Sequence, residues 1–184
     1  MFQGHRRMPA YGEHEHGGAS RREHLVNVAV NHFLGLNDHD GSYTAILDTY
    51  NSYLPHPRGY MVGKKDAWGC IFASAVAIVA GCTDIVPVEC SCLEQMMLFK
   101  KKNCWKEYDE DYTPQLGDYV YFSWDNSNFP SQVGIVTGFD ESGKLMTVIM
   151  GNVGSSFTDG NEVKQKYVKI RPNQYILGYG TPRY

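Results

Sequence analysis

Cys70, in the run Asp66-Ala-Trp-Gly-Cys-Ile-Phe-Ala-Ser-Ala-Val-Ala-Ile78, stands where an apolar helix begins, two residues after a tryptophan. A thiol in such a place acts as a nucleophile if an imidazole takes its proton and the helix N-terminus favours the thiolate. The base has to come from upstream, because all seven histidines (5, 14, 16, 24, 32, 39 and 56) precede Cys70. His56, in the loop 55–59, is the candidate for a rebuilt Cys–His dyad. A packed structural thiol is the better reading of Cys70, since free cysteines commonly behave as small hydrophobes.

Metal chemistry has weaker support. His14 and His16 beside Glu13 and Glu15 have the composition of a metal clip, but no further ligand stands at a fixed spacing, and a polar extension explains them better. Cys82, Cys90, Cys92 and Cys104 follow the pattern Cys-x7-Cys-x-Cys-x11-Cys, without the short knuckle of zinc sites, and read as a thiol-rich packed region. Asn37-Asp-His-Asp-Gly41 resembles a calcium loop only locally; without a distal bidentate Glu it reads as a turn in which Asp40 or Ser42 caps the next helix. Neither metal nor cofactor is expected.

The elements that must position Cys70 follow from composition and period. A chain of 184 residues that is 42% hydrophobic and 13% aromatic buries one sizeable core, so one domain (20–184) with an N-terminal extension (1–19) is expected. The net charge of −3 gives no general attraction to nucleic acid, and Lys100–Lys102 suits the C-terminal end of a helix. The first eighteen residues carry no apolar stretch after their charges, so no secretory signal is read there and synthesis in the cytoplasm is expected. The most apolar run, Ile71–Ala80, is far short of the roughly 20 residues that span a bilayer. Five cysteines, an odd count, favour reduced thiols.

Helical spacing predicts a first helix from Ser20 to Gly35, a second from Ser42 to about Tyr53, a third from Trp68 to Gly81, and a fourth opening at Ser91 with Glu94 as its capping-box partner. After Trp105 the period becomes that of strands: 117–124, 132–138, 145–151, 163–170 and 175–180, with a hairpin signal at 139–145. Helices first and antiparallel strands second predict an α+β domain, a helical half packed on a small curled sheet.

The ordered motifs "DAWGCIFASAVAI", "GCTDIVPVECSCLEQMMLFKKKNCW", "PQLGDYVYFSW", "SQVGIVTG", "TVIMGN" and "ILGYGTPRY" resemble the CHAP (cysteine, histidine-dependent amidohydrolase/peptidase) domains of bacterial and phage peptidoglycan hydrolases, within the papain-like class. The likeness runs from about residue 22 to the end. It implies a cleft between helical half and sheet, holding a cysteine directly after the tryptophan, a histidine at the start of an Asp-His-Val-Gly-Ile-Val strand, and an acidic residue before Gly-Asn. This chain has Gly69, Gln132 and Met150 at those three places and keeps only Asn152. Cys70 is one residue late, about 100° around the helix from where the nucleophile would point.

Together these readings predict a catalytically inactive CHAP-like domain. It would serve as a cell-wall-binding module, with Trp68, Trp124 and Asn152 at the cleft, or as a structural component of a larger assembly such as a phage particle, its extension ordering on a protein partner. Peptidoglycan or a protein is thus the expected partner. The alternative is an active peptidoglycan amidase or endopeptidase that uses Cys70 with a non-standard base.

Overall fold

A computed structural model of the chain describes residues 18–154 and 160–184. The helical half comes first. Helix α1 (Gly18–Val28) runs on into a π-helical turn (Ala29–Phe33), and Leu34 turns out of the helix before Gly35, whose φ of +90° suits glycine. Leu25, Ala29 and Phe33 recur at four-residue spacing and are buried. The backbone of Gly18 and Ala19 belongs to α1, and residues 1–17, including His14 and His16, lie outside the described residues.

Helix α2 (Thr44–Ser52) starts two residues later than its sequence pattern indicates. Asp40 and Ser42 do not cap it. Asp40 accepts from the Ser42 N–H at 2.8 Å, and the Ser42 hydroxyl bonds back to Asn37, so both serve the turn itself. Tyr43 takes the cap position without a side-chain bond. Helix α3 (Gly69–Val79) is buried over its first nine residues and stops before Gly81 at φ +69°. Helix α4 (Cys92–Lys101) is capped by Ser91, which accepts from the Glu94 N–H at 3.3 Å, and ends on Lys100 and Lys101, where cations complement the helix dipole.

The strands are β1 (Trp105–Glu107), β2 (Tyr119–Phe122), β3 (Gln132–Phe139), β4 (Leu145–Val153), β5 (Glu162–Lys169) and β6 (Ile176–Gly180). They form one antiparallel sheet of order β1-β6-β2-β3-β4-β5, which is not closed. The hairpin at 140–145 has Gly143 N–H bonded to Asp140 C=O at 3.0 Å and Gly143 at φ +70°. Strand β1 escapes the sequence pattern, being three residues long and half exposed.

Both faces of this sheet are buried. Tyr119, Tyr121, Val133, Ile135 and Ile149 pack with α3 and the other helices; Val120, Phe122, Val136, Val148 and Met150 form a second cluster on the opposite face, with Tyr108, Tyr112 and Trp124 against it. Strand β2 shows the cause, its side chains alternating between the two clusters. Helix α3 lies across β3 and β4, and the contact is close at Gly151. A Cβ there would stand 2.6 Å from the Phe72 Cβ and 3.1 Å from Trp68 Cζ3. Among the described residues no helix is long and apolar enough to cross a membrane.

Candidate functional site

Four element ends meet at one cavity of about 280 Å³. The start of α3 supplies Gly69 and Cys70, the start of α4 supplies Ser91 and Cys92, β3 begins with Gln132, and the end of β4 brings Asn152. Two helix N-termini thus open on the same space and give it a positive fringe. Sequence reasoning singles out Gly69, Cys70, Gln132 and Asn152, and the fold gathers all four from three separate elements.

Gln132 occupies the space that a side chain at 69 would use. Its Nε2 lies 3.1 Å from an ideal Cβ on Gly69 and donates to the Gly151 C=O at 2.8 Å. The residue is only 8% exposed, so this hydrogen bond fixes the amide in the wall of the cavity. Asn152 stands beside it at φ +58°, a conformation that asparagine tolerates better than most residues. An amide neither takes nor gives a proton at neutral pH, so Gln132 and Asn152 hold polar groups without supplying acid–base chemistry.

Cys70 is 2% exposed and faces two oxygens, the Glu89 C=O at 3.2 Å and Gln95 Oε1 at 3.4 Å. Burial, and after it the neighbouring Cys92 thiol, push the Cys70 thiol well above its ordinary pKa. The protonated thiol is the stable form, which is the reverse of what a nucleophile requires. His56 does not join it. The imidazole Nε2 lies 2.9 Å from the Asn51 C=O, which leaves the proposed dyad unformed.

The other expected positions fall elsewhere. Met150 is fully buried in the second apolar cluster, on the sheet face away from α3, so its side chain does not reach the cavity. Trp68 is 4% exposed and packs against Tyr43 at a ring-centroid distance of 5.3 Å. Trp124 stacks on Phe122 at 4.7 Å and packs, partly buried, against that same second cluster. Neither tryptophan offers a ring to the cavity as a binding platform. Cys90 and Cys92 line the cavity, whereas Cys82 and Cys104 point at the carbonyls of Ala80 and Lys102. Among the described residues no cluster of His, Cys, Asp and Glu is arranged to hold a metal.

Two residues that sequence reasoning passes over support the site. Glu89, 2% exposed, takes Arg58 in a fork, with Nη2–Oε1 at 2.7 Å and Nε–Oε2 at 3.1 Å, and accepts from the Cys90 N–H at 2.9 Å. Burial alone would raise its pKa; the hydrogen bonds from Arg58 and Cys90 outweigh it and hold the carboxyl below its ordinary value. No spacing links Arg58 to Glu89 in the sequence. Gln95 accepts from Tyr121 Oη at 2.7 Å and donates to the Pro87 C=O at 2.9 Å and to Ser74 Oγ at 3.2 Å. Its position gave a signal, since it shares the buried face of Phe99 four residues on.

Compared with family models, with curated proteins and with solved structures, the chain gives no match.

Proposed function

We infer that this chain is a CHAP-type, papain-like domain whose cleft binds peptidoglycan fragments without cutting them. The observation that carries this reading is the pairing of Gly69 with Gln132. At the two places where the resemblance expects a thiol and an imidazole in contact stand a glycine without a side chain and an amide whose nitrogen lies 3.1 Å from where a Cβ on residue 69 would be. The cavity between the helical half and the sheet persists, with hydrogen-bonding groups from Ser91, Gln132 and Asn152 on its walls. Polar groups of this kind suit the amides and hydroxyls of a wall peptide or glycan. Hydrolysis through Cys70 has two observations against it, a thiol that burial favours in its protonated form and, among the described residues, the lack of an imidazole bonded to its sulfur.

Co-sedimentation with insoluble, purified peptidoglycan tests the binding. The native protein should pellet saturably with the wall, and Ala67→Trp, which fills the cavity from its exposed rim, should weaken binding by at least about tenfold, or 1.4 kcal/mol. Native protein that stays in the supernatant at every wall concentration removes wall binding and leaves a structural role in an assembly.

A further inference from the structure

The cavity at the starts of α3 and α4 is polar without being charged. Among the described residues that line it, none is acidic or basic. Arg58 reaches the lining residue Cys90 with Nη2 at 3.7 Å, but the same nitrogen is bonded to Glu89 Oε1 at 2.7 Å, so its charge is already answered. A ligand group that enters here meets hydrogen-bonding atoms and no counter-ion.

Gln132 sets the hydrogen-bonding sense of the wall. Its Nε2 is committed to the Gly151 C=O at 2.8 Å, so the amide cannot turn over without setting two oxygens against each other. Oε1 of the same amide lies 3.5 Å from the Cβ position of Gly69 and, among the described residues, accepts no hydrogen bond, although the residue is 92% buried. A buried acceptor in that state calls for a donor. The first-turn N–H groups of α3 and α4, which open on the same cavity, have no partner within their helices and call for an acceptor.

We propose that this cavity selects wall peptides that carry a primary carboxamide and rejects the same peptides carrying a carboxylate, with Gln132 as the specificity-determining residue. The inference rests on the reading that the cleft binds peptidoglycan, and it names the group the cleft takes. A carboxamide has both functions the walls ask for. Its C=O accepts from the helix-start N–H groups, and its NH2 donates to Gln132 Oε1. A carboxylate has two acceptor oxygens and no donor. One of them gains from the helix ends, which are open to water at the mouth of the cavity, while the other is set against a buried oxygen that cannot turn away. A site built to hydrogen-bond an N–H discriminates strongly against the analogue that lacks it.

The test measures calorimetric binding of the full chain at neutral pH to N-acetylmuramyl-L-alanyl-D-isoglutamine and to its D-glutamate counterpart, which differ by one amide for one carboxylate. The native protein should bind the amide at least about tenfold more tightly. Ala67→Trp, a change at the exposed rim, should abolish binding of both, and Gln132→Met, of similar length without the amide, should bring the two within about threefold. Equal or tighter binding of the carboxylate, a preference that survives Ala67→Trp or persists in folded Gln132→Met, or no binding of either ligand overturns the proposal. Co-sedimentation with insoluble peptidoglycan, run alongside, separates the two failures: native protein that pellets without preferring the amide keeps the wall-binding reading and loses the carboxamide, and native protein that does not pellet loses both.

Discussion

The Gln132 amide nitrogen lies 3.1 Å from the Cβ position of residue 69 while donating to the Gly151 C=O at 2.8 Å. One side chain thereby joins the start of α3, the start of β3 and the end of β4. The amide is structural as much as it is a part of the cleft wall. Gln132→Ala removes the donor and leaves the Gly151 carbonyl in a buried corner without this partner. The expected loss is about 1–3 kcal/mol in urea unfolding, at unchanged m-value. Gln132→Glu should lose at least as much, because it sets a carboxylate oxygen against that carbonyl.

Gly69→Ala brings two opposed effects together. A methyl at 69, the first residue of α3, gains only part of the roughly 0.5–1 kcal/mol that alanine holds over glycine in a helix interior, and it crowds the flexible end of Gln132, which can give by a few tenths of an ångström. The net change in stability should stay below about 1 kcal/mol. The position therefore takes a Cβ once the end of Gln132 gives way.

Met150→Glu separates the sequence motif from the fold. The CHAP resemblance expects a carboxylate here, yet the Met150 side chain points into the second apolar cluster, fully buried. A glutamate there has no charged partner in that cluster, so the expected cost is about 3 kcal/mol or more, read from thermal or urea unfolding, with no gain in hydrolysis.

The Arg58–Glu89 pair gives a pH dependence with a definite sign. The folded carboxyl titrates below its unfolded value. Its contribution is present above the unfolded pKa, about 4.3, and fades as the pH falls through the lower folded value. Glu89→Gln should flatten that acid loss and cost about 2 kcal/mol at neutral pH, discounted because Arg58 is 52% exposed and can turn to water. Arg58 also sits at φ +53°. Arg58→Gly should therefore be less destabilising than Arg58→Ala by about 1 kcal/mol, since both lose the pair and only glycine relieves the backbone.

Much of the helical half was legible. The Ser91–Glu94 spacing marked the start of α4, and the unbroken apolar run of α3 marked a helix buried on nearly all sides. The β1 strand was not legible, because three residues carry no period. At the site, the motif order singled out Gly69, Gln132 and Asn152, and the fold brings them to one cavity. Met150 misled for a local reason. Pairing between β4 and β5 is irregular from Met150 to Val153, so the step from Met150 to Asn152 does not keep the plain alternation of a strand. The tryptophans misled because an aromatic ring reads alike in a core and on a binding surface. The pairing of Arg58 with Glu89 spans 31 residues and depends on a left-handed turn, which residue types alone do not announce.

The most direct test of a disarmed cleft is turbidity loss and amine release from purified peptidoglycan, measured for the native protein and for Gly69→Cys/Gln132→His. The native protein should release nothing. The double variant, with a thiol and an imidazole set side by side in the retained cavity, should cut. Release by the native protein that disappears in Cys70→Ser would contradict the account and make Cys70 the nucleophile of a working enzyme.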